Sequence, residues 1–597
     1  MKGMIRMIRQ ETKKEKITNA ILMLILFIYP LRKAVMGLDM MDAGYALGNY
    51  RFFDTMNENW KIATFLANVL GVLLSKLPFG DTWVGMNVYT GLLIGSIAVF
   101  VYRFLIKEKI VNKWIAFLGE LVALSLCWAP NVILYHYLGY ILITVVVMVL
   151  FIALTKQKKS YLIIAGVILG GAVAVRMPNI TYMALIIPVW YNAWLNRNQK
   201  QGKRWFATLL GQTGYCVVGY AVGLLIPIGY ICIRYGIYAY PKMISSLFGM
   251  TDTATDYKPT SMITAMFEDY IVYSVWLLIF IVYLLGGLLL ARICKGRFEL
   301  VKKLLFIAGL LVLLRFCYGR GMFDFNYTAY FSMYKWVTVC LLVAILFCIW
   351  LIISKKAESE HKLWAVFLLV IIFVTPLGSN NGLYPIINNM FLVVPLTIGF
   401  LWHYVSNDRE AKNTDRAMTI FVVKSMTIFL YTCVTIQAIL FGVCFVFHDV
   451  AEGMTDYTKA DITGSQSTKG LYTTVDKATE LDRLGGYLSE NELLEKEVIL
   501  YGDIPAISYI FDLKSAVYTT WADLDSNSLQ QLEEELASEE LKSKEPLVIV
   551  SAEISQKLEE KTERVADKKL NAIYRFMTEM GYKNTYSSTQ YCVYEAP

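Results

Sequence analysis

Long apolar runs recur from residue 17 to residue 447 of this chain, and they constrain its fold more than any other feature. A helix needs about 20 mostly apolar residues to cross the hydrocarbon core of a bilayer. The runs are continuous and do not alternate with a period of two, which favours spanning helices over a β-barrel. The sequence therefore predicts an α-helical polytopic membrane domain over residues 1–447, with about 13 transmembrane helices, the first at 17–37.

The loops between the predicted spans differ in charge on the two sides of the membrane. Six alternate loops hold 22 Lys and Arg residues, whereas the six opposite loops hold eight in many more residues. Because Lys and Arg are enriched in cytoplasmic loops, we expect a multi-pass protein of the cell membrane with a cytoplasmic N-terminus. The long loops 38–82 and 235–270 then lie outside the cytoplasm. Despite the net charge of +8, no nucleic-acid partner is implied, because the basic residues lie in short loops between spans.

Residues 448–597, the tail, differ from the rest of the chain. They hold 15 Lys and Arg against 28 Asp and Glu, a net charge of −13. Short apolar stretches predict strands at 498–501, 516–519, 547–550 and 591–594, with helices at 526–541 and 568–580. Strands that alternate with helices predict a small parallel α/β domain. An odd number of spans places it outside the cytoplasm, where we expect a structural or acceptor-facing module.

Two carboxylates directly follow the first span. Asp39 and Asp42 are three residues apart, so on a helix they would share one face. A carboxylate pair beside a membrane is suited to act as a general base. The plain alternative is a solvated loop whose acids start an interfacial helix, because Asp favours a helix N-terminus.

Further polar and aromatic residues stand in the loops predicted to lie outside. Four cations there are candidates for binding an anion such as a lipid phosphate: Arg51, Arg176, Arg320 and Lys335. Anchoring to lipid headgroups is the alternative reading of each cation. Candidates for contacting a sugar or an acceptor are Tyr45, Tyr50, Asn380, Asn381 and Tyr384. A plain exposed turn explains the asparagines equally well.

The order of these features resembles the GT-C glycosyltransferases. These are membrane enzymes such as protein O-mannosyltransferases and aminoarabinose transferases, with an acidic pair after the first span and an outer C-terminal domain. The family often has an acidic doublet followed by an aromatic residue. In Asp42-Ala-Gly-Tyr45 one acid and the aromatic are kept, but the doublet is split into Asp39 and Asp42, which leaves open which of them is the base.

The resemblance implies an inverting sugar transfer from a polyprenyl-phosphate donor to an envelope glycan, a lipid or a protein. It makes Asp42 the favoured base and Asp39 the second acid or an orienting group. Any divalent cation would sit on these two carboxylates, and no other cofactor is implied.

Two other functions stay open. A transporter or flippase of lipid-linked glycans would want a charged residue within the membrane, and Glu120 is the best such residue. A polysaccharide polymerase or ligase would share the chemistry at the outer face, but we would expect its main catalytic loop late in the chain.

Overall fold

The computed structural model describes residues 12–127, 132–197, 204–249, 260–293, 298–325, 327, 331–406, 414–446, 456–524 and 527–597. The helices up to residue 446 are α1 (Lys13–Ile28), α2 (Asp42–Arg51), α3 (Glu58–Ala63), α4 (Phe65–Ser75), α5 (Trp83–Lys107), α6 (Lys113–Leu126), α7 (Leu134–Thr155), α8 (Lys159–Val175), α9 (Ile186–Leu195), α10 (Arg204–Tyr235), α11 (Ala239–Gly249), α12 (Ser261–Arg292), α13 (Glu299–Gly319), α14 (Phe331–Ile353), α15 (Ser359–Val374), α16 (Tyr384–Ile387), α17 (Val393–Ser406) and α18 (Thr414–Cys444). Two 3-10 segments cover Tyr29–Lys33 and Met177–Leu185.

Six of the described helices are long and apolar enough to cross a membrane, namely α5, α7, α10, α12, α14 and α18. Shorter apolar helices accompany them, including α4, α8 and α17. The chain is therefore a multi-pass helical membrane protein, as the apolar runs predicted. The count of 13 spans is not confirmed, because only six of the described helices are long and apolar enough. Pro30 lies in the 3-10 segment that follows α1 and thus interrupts the predicted first span.

Two limits predicted from the sequence can be compared with the structure, the domain boundary and the second long outer loop. The boundary at 447/448 lies outside the described residues. Within the predicted outer loop 235–270, the described residues form α11 and the start of α12.

Helices α1, α5, α6 and α18 meet at one end of the membrane part because glycines allow their backbones to approach. A Cβ atom on Gly95 of α5 would lie 2.3 Å from the carbonyl oxygen of Phe27 in α1. A Cβ atom on Gly442 of α18 would lie 2.7 Å from Cβ of Ser125 in α6. Small residues at helix interfaces permit such close packing in membranes. The end of α1 is thereby fixed against the three other helices.

The tail contains six strands and seven helices among its described residues: β1 (Tyr457–Lys459), β2 (Tyr472–Thr474), α19 (Val475–Glu490), β3 (Val498–Tyr501), α20 (Ala506–Phe511), α21 (Leu529–Leu536), α22 (Glu539–Lys544), β4 (Leu547–Ser551), α23 (Ala552–Glu559), α24 (Lys561–Ala566), α25 (Lys568–Glu579), β5 (Lys583–Ser587) and β6 (Tyr591–Glu595). The main sheet has the order β3-β4-β6-β5. Strands β3 and β4 are parallel, whereas β6 is antiparallel to both β4 and β5. The prediction of a parallel sheet is therefore wrong for two of the three strand pairings, because β6 runs antiparallel to both of its neighbours.

The tail packs on the loop that follows α1. The backbone N–H of Tyr472 donates to the carbonyl of Val35 over 2.7 Å, and the N–H of Gly37 donates to the carbonyl of Tyr472 over 2.9 Å. The N–H of Ala506 in α20 donates to the carbonyl of Met40 over 3.0 Å. Backbone hydrogen bonds thus hold residues 35–40 against the tail from two sides.

A buried carboxyl group in the tail gives it a pH dependence. Asp523 accepts hydrogen bonds from the backbone N–H groups of Gly502 and Asp503, over 2.9 and 2.8 Å. Burial and the charge of Asp503 raise the pKa of Asp523 from 3.8 to about 6. Between these two values the unfolded carboxyl has lost its proton while the folded one keeps it, so this group's contribution to stability falls as the pH rises.

We expect Asp523→Asn to stabilise the tail near pH 7 by about 1–3 kcal/mol, because Asn removes the buried charge and keeps an oxygen for the two N–H groups. Thermal unfolding of the full chain from pH 4 to pH 8 checks this. The gain over wild type should shrink towards zero at pH 4, and a gain that does not vary with pH would contradict the assignment.

Candidate functional site

A cavity lies between the end of α1, the loop before α2, and the helices α5, α6 and α18. Apolar side chains form part of its wall, among them Pro30, Ile94, Leu124, Phe441 and Phe445. Its polar lining includes Arg32, Lys33, Asp39, Asn87 and Ser125. The cavity thus brings two cations and one carboxylate together at the end of a membrane bundle.

The cations come from the 3-10 segment after α1. Nε of Arg32 donates to the carbonyl of Gly442, and Nη1 donates to the carbonyl of Tyr29 over 3.1 Å. The guanidinium also lies 4.1 Å from the centroid of the Tyr29 ring. The Tyr29 hydroxyl is in turn 2.7 Å from Oγ of Ser125. Arg32 is therefore held in place by α18 and by its own turn.

Among the described residues, Lys33 makes fewer side-chain hydrogen bonds than Arg32. Its Nζ atom is buried and has no hydrogen-bond partner within the part of the chain that the structure describes. Burying an ammonium group is costly unless an opposite charge and hydrogen-bond acceptors accompany it. An anionic ligand in the cavity would supply both.

Asp39 and Asp42 occupy different surroundings. Asp39 is 4% exposed and lines the cavity. Its carboxylate accepts hydrogen bonds from the backbone N–H groups of Ala43, over 2.7 Å, and Met41, over 3.2 Å. Asp42 is the first residue of α2, is exposed, and is not among the residues that line the cavity. Because Asp39 precedes the helix, the two carboxylates do not share a helix face as the spacing predicted.

The aromatic candidates pack within the protein. The Tyr50 hydroxyl donates to the carbonyl of Val132 over 3.1 Å, and a Cβ atom on Gly71 would lie 2.4 Å from the Tyr50 ring. The Tyr45 ring makes an edge contact with Trp521 of the tail at 5.6 Å between centroids. Neither tyrosine is among the residues that line the cavity.

Arg51 joins α2 to the tail. Nη1 donates to the carbonyl of Tyr509 over 3.1 Å, Nη2 donates to the carbonyl of Asp81 over 2.7 Å, and the guanidinium lies 4.2 Å from the centroid of the Tyr509 ring. A longer contact of 3.4 Å reaches the exposed carboxylate of Asp512. Its observed partners therefore give Arg51 a docking role.

We expect Arg51→Met to weaken docking of the tail by about 1–3 kcal/mol, because the hydrogen bond from a charged group to the tail carbonyl of Tyr509 and the contact with the Tyr509 ring are lost. Asp512→Asn is the control and should cost less than about 1 kcal/mol, since exposed ion pairs contribute little. Thermal unfolding and limited proteolysis of the tail measure both variants. Equal effects of the two variants would overturn the ranking of the carbonyl contacts above the ion pair.

The other predicted site residues are not among the residues that line this cavity. Nη2 of Arg176 donates to the carbonyl of Gly378 over 2.8 Å. Nζ of Lys335 donates to the carbonyls of Arg320 and Gly321, over 3.1 and 2.9 Å. The turn residues Asn380 and Asn381 are exposed, and Tyr384 is half-buried.

Glu120 belongs neither to the residues that line the cavity nor to the other predicted site residues. It is fully buried in α6, and neither of its carboxylate oxygens has a hydrogen-bond partner among the described residues. It does not line the cavity. No hydrogen bond among the described residues joins Glu120 to a neighbouring helix.

Residues that could hold a metal form one three-residue group within the described part of the chain. This group is Glu358, His361 and His403, and it includes neither Asp39 nor Asp42. A divalent cation on the two aspartates stays a prediction.

Comparison with known proteins gives a distant similarity to a solved structure. No protein-family model and no curated protein sequence matches the chain. Among solved structures, the chain is similar to ArnT from Cupriavidus metallidurans bound to undecaprenyl phosphate, with 8% sequence identity, a TM-score of 0.45 and 98% of each chain covered. A similarity at this level does not assign an activity, so the function has to come from the residues of the cavity.

Proposed function

We propose that this chain is a membrane glycosyltransferase of the GT-C type, which moves a sugar from a polyprenyl-phosphate donor to an extracytoplasmic acceptor with inversion. The observation that carries the proposal is the cavity, in which Arg32 and Lys33 stand with Asp39 in a membrane protein. The two cations suit a phosphate, and the carboxylate suits a proton that leaves the acceptor. The charge of the loops supports an extracytoplasmic position for the cavity.

Arg32 and Lys33 would bind the phosphate of the donor. When the bond between the sugar and the phosphate breaks, its electron pair stays on the phosphate oxygen, and the negative charge of the polyprenyl phosphate increases. Fixed donors at that position stabilise the developing charge, most strongly where water is excluded. The hydrogen bonds of Arg32 to Gly442 and Tyr29 fix one such donor before the substrate arrives.

Asp39 would act as the general base. The oxygen of the acceptor hydroxyl forms the new bond to the anomeric carbon, and its proton passes to the Asp39 carboxylate. Attack on the face opposite to the leaving phosphate inverts the anomeric centre. The N–H groups of Met41 and Ala43 orient the carboxylate for this step.

The acceptor is an envelope glycan, a lipid or a protein, and mass spectrometry can identify it. We would compare the envelope glycans and glycolipids of cells with the wild-type gene, a deletion, and the deletion complemented with wild type. Loss of one sugar substituent in the deletion and its return on complementation would support a transferase and name the sugar. Accumulation of an unflipped lipid-linked precursor would contradict the proposal.

A flippase of lipid-linked glycans is the second candidate, and buried Glu120 is the observation that favours it. A transferase should tolerate Glu120→Gln with less than about a threefold loss of activity, because Gln is isosteric and the carboxylate lies outside the cavity. Complementation with matched protein levels measures this. Loss of function in Glu120→Gln with normal function in Asp39→Asn would support the flippase hypothesis and contradict the transferase hypothesis.

A further inference from the structure

Three potential metal ligands meet between α15 and α17. Glu358 is the residue before α15, His361 lies in the first turn of α15, and His403 lies in the last turn of α17. One ligand atom from each lies within 4.8 Å of the others. The chain has only four histidines in 597 residues, and two of them meet here although 42 positions separate them in sequence.

Of the two ring nitrogens of His361, Nδ1 contacts Tyr404, so Nε2 is the nitrogen that we expect to bind a metal. Its Nδ1 atom is 2.9 Å from the hydroxyl of Tyr404, and that hydroxyl accepts a hydrogen bond from the backbone N–H of Glu358 over 3.3 Å. Such a hydrogen bond at one imidazole nitrogen is the usual way in which the other nitrogen of a metal-binding histidine is oriented. The rings of His361 and His403 are 5.3 Å apart at 78°, an edge contact that does not stack their faces.

We propose that Glu358, His361 and His403 bind a transition-metal ion, with Zn²⁺ as the best match. Two imidazoles and a carboxylate are a ligand set that zinc accepts, with water as the fourth ligand. Ligand distances of about 2.0–2.2 Å place tetrahedral ligands roughly 3.4 Å apart, so small rotations of the exposed Glu358 side chain and of the two rings close the site. Imidazole ligands disfavour Mg²⁺ and Ca²⁺, which prefer oxygen ligands.

The ion would join α15 to α17 on the side of the membrane opposite to the Asp39 cavity. The loop before α15 belongs to the basic set of loops, which the charge pattern places in the cytoplasm. The site is thus a structural clamp that stands independently of the proposed transferase chemistry.

The test uses the full chain, purified in detergent with an affinity tag that contains no histidine. Isothermal titration with Zn²⁺ should show one saturable site, and Co²⁺ in its place should give the visible absorption bands of a tetrahedral complex. We expect His361→Ala and Glu358→Gln each to weaken Zn²⁺ binding by at least about 100-fold. Mg²⁺ should not bind at this site.

Glu360→Gln is the matched control, because Glu360 is an exposed acid on the same turn of α15. It should bind Zn²⁺ as wild type does. Thermal unfolding without metal shows whether each variant is folded, and added Zn²⁺ should raise the melting temperature of wild type and Glu360→Gln only. Absence of saturable binding to wild type, or unchanged binding in the folded His361→Ala and Glu358→Gln variants, would overturn the proposal.

Discussion

Asp39→Asn is expected to lower sugar transfer by about 100- to 10,000-fold, the range that a positioned general base contributes. The fold should survive, because the Asn side-chain oxygen can still accept the N–H of Ala43 that Asp39 binds over 2.7 Å. The amide cannot take the proton of the acceptor. Transfer measured on purified protein in lipid, with the melting temperature recorded beside it, separates lost chemistry from lost structure.

Asp42→Asn is the matched control, because it makes the same change three residues away at an exposed position. It should keep activity within about threefold of wild type, as surface substitutions usually do. The reverse result, with Asp42→Asn inactive and Asp39→Asn active, would show that the exposed acid is the base and that the cavity is not the site of chemistry.

Lys33→Met is expected to lower transfer by about 100- to 1,000-fold, the cost of removing one fixed donor to a developing negative charge. The same change should raise the melting temperature of the ligand-free protein, because it replaces a buried ammonium without a hydrogen-bond partner among the described residues by an apolar chain of similar length. A purely structural lysine would give the opposite sign in stability. A loss of transfer together with a raised melting temperature is therefore expected only if Lys33 serves to bind an anion.

Lys335→Met serves as the control for Lys33→Met. Lys335 is a candidate for binding the donor phosphate by sequence, but its ammonium donates to the carbonyls of Arg320 and Gly321, and it is not among the residues that line the cavity. Its loss should reduce stability and leave binding of polyprenyl phosphate unchanged. Native mass spectrometry of both variants with added polyprenyl phosphate would contradict the proposal if Lys33→Met bound the lipid as wild type does.

The membrane character of the chain could be predicted because hydropathy reports it directly, but the limits of the first span could not. The window 17–37 is apolar on average although it contains Arg32 and Lys33, so the hydropathy predicts both cations to lie within the span. In the structure α1 ends at Ile28 and Pro30 starts a 3-10 turn. A proline followed closely by two cations near the end of the apolar run was the available signal.

In the tail, the apolar pattern predicts most strands of the main sheet but not every one of them. The strands predicted at 498–501, 547–550 and 591–594 are confirmed, because each is a continuous apolar run. The strand predicted at 516–519 is wrong, since only a single bridge at Ser515 reaches β3 before the chain turns away. Strand β5 was missed because its exposed, polar residues form no apolar run.

The contact between α2 and α20 sets an order of events during synthesis. A Cβ atom on Gly44 would lie 2.2 Å from Cβ of Ala506, so these two helices touch at their backbones, although about 460 residues separate them in sequence. At about 5–20 residues per second, the ribosome needs roughly 20–90 s to make that stretch. The loop that carries Asp39 therefore enters the membrane environment early and completes its packing last. A nascent or truncated chain lacks this support, which delays the assembled cavity until translation is nearly finished.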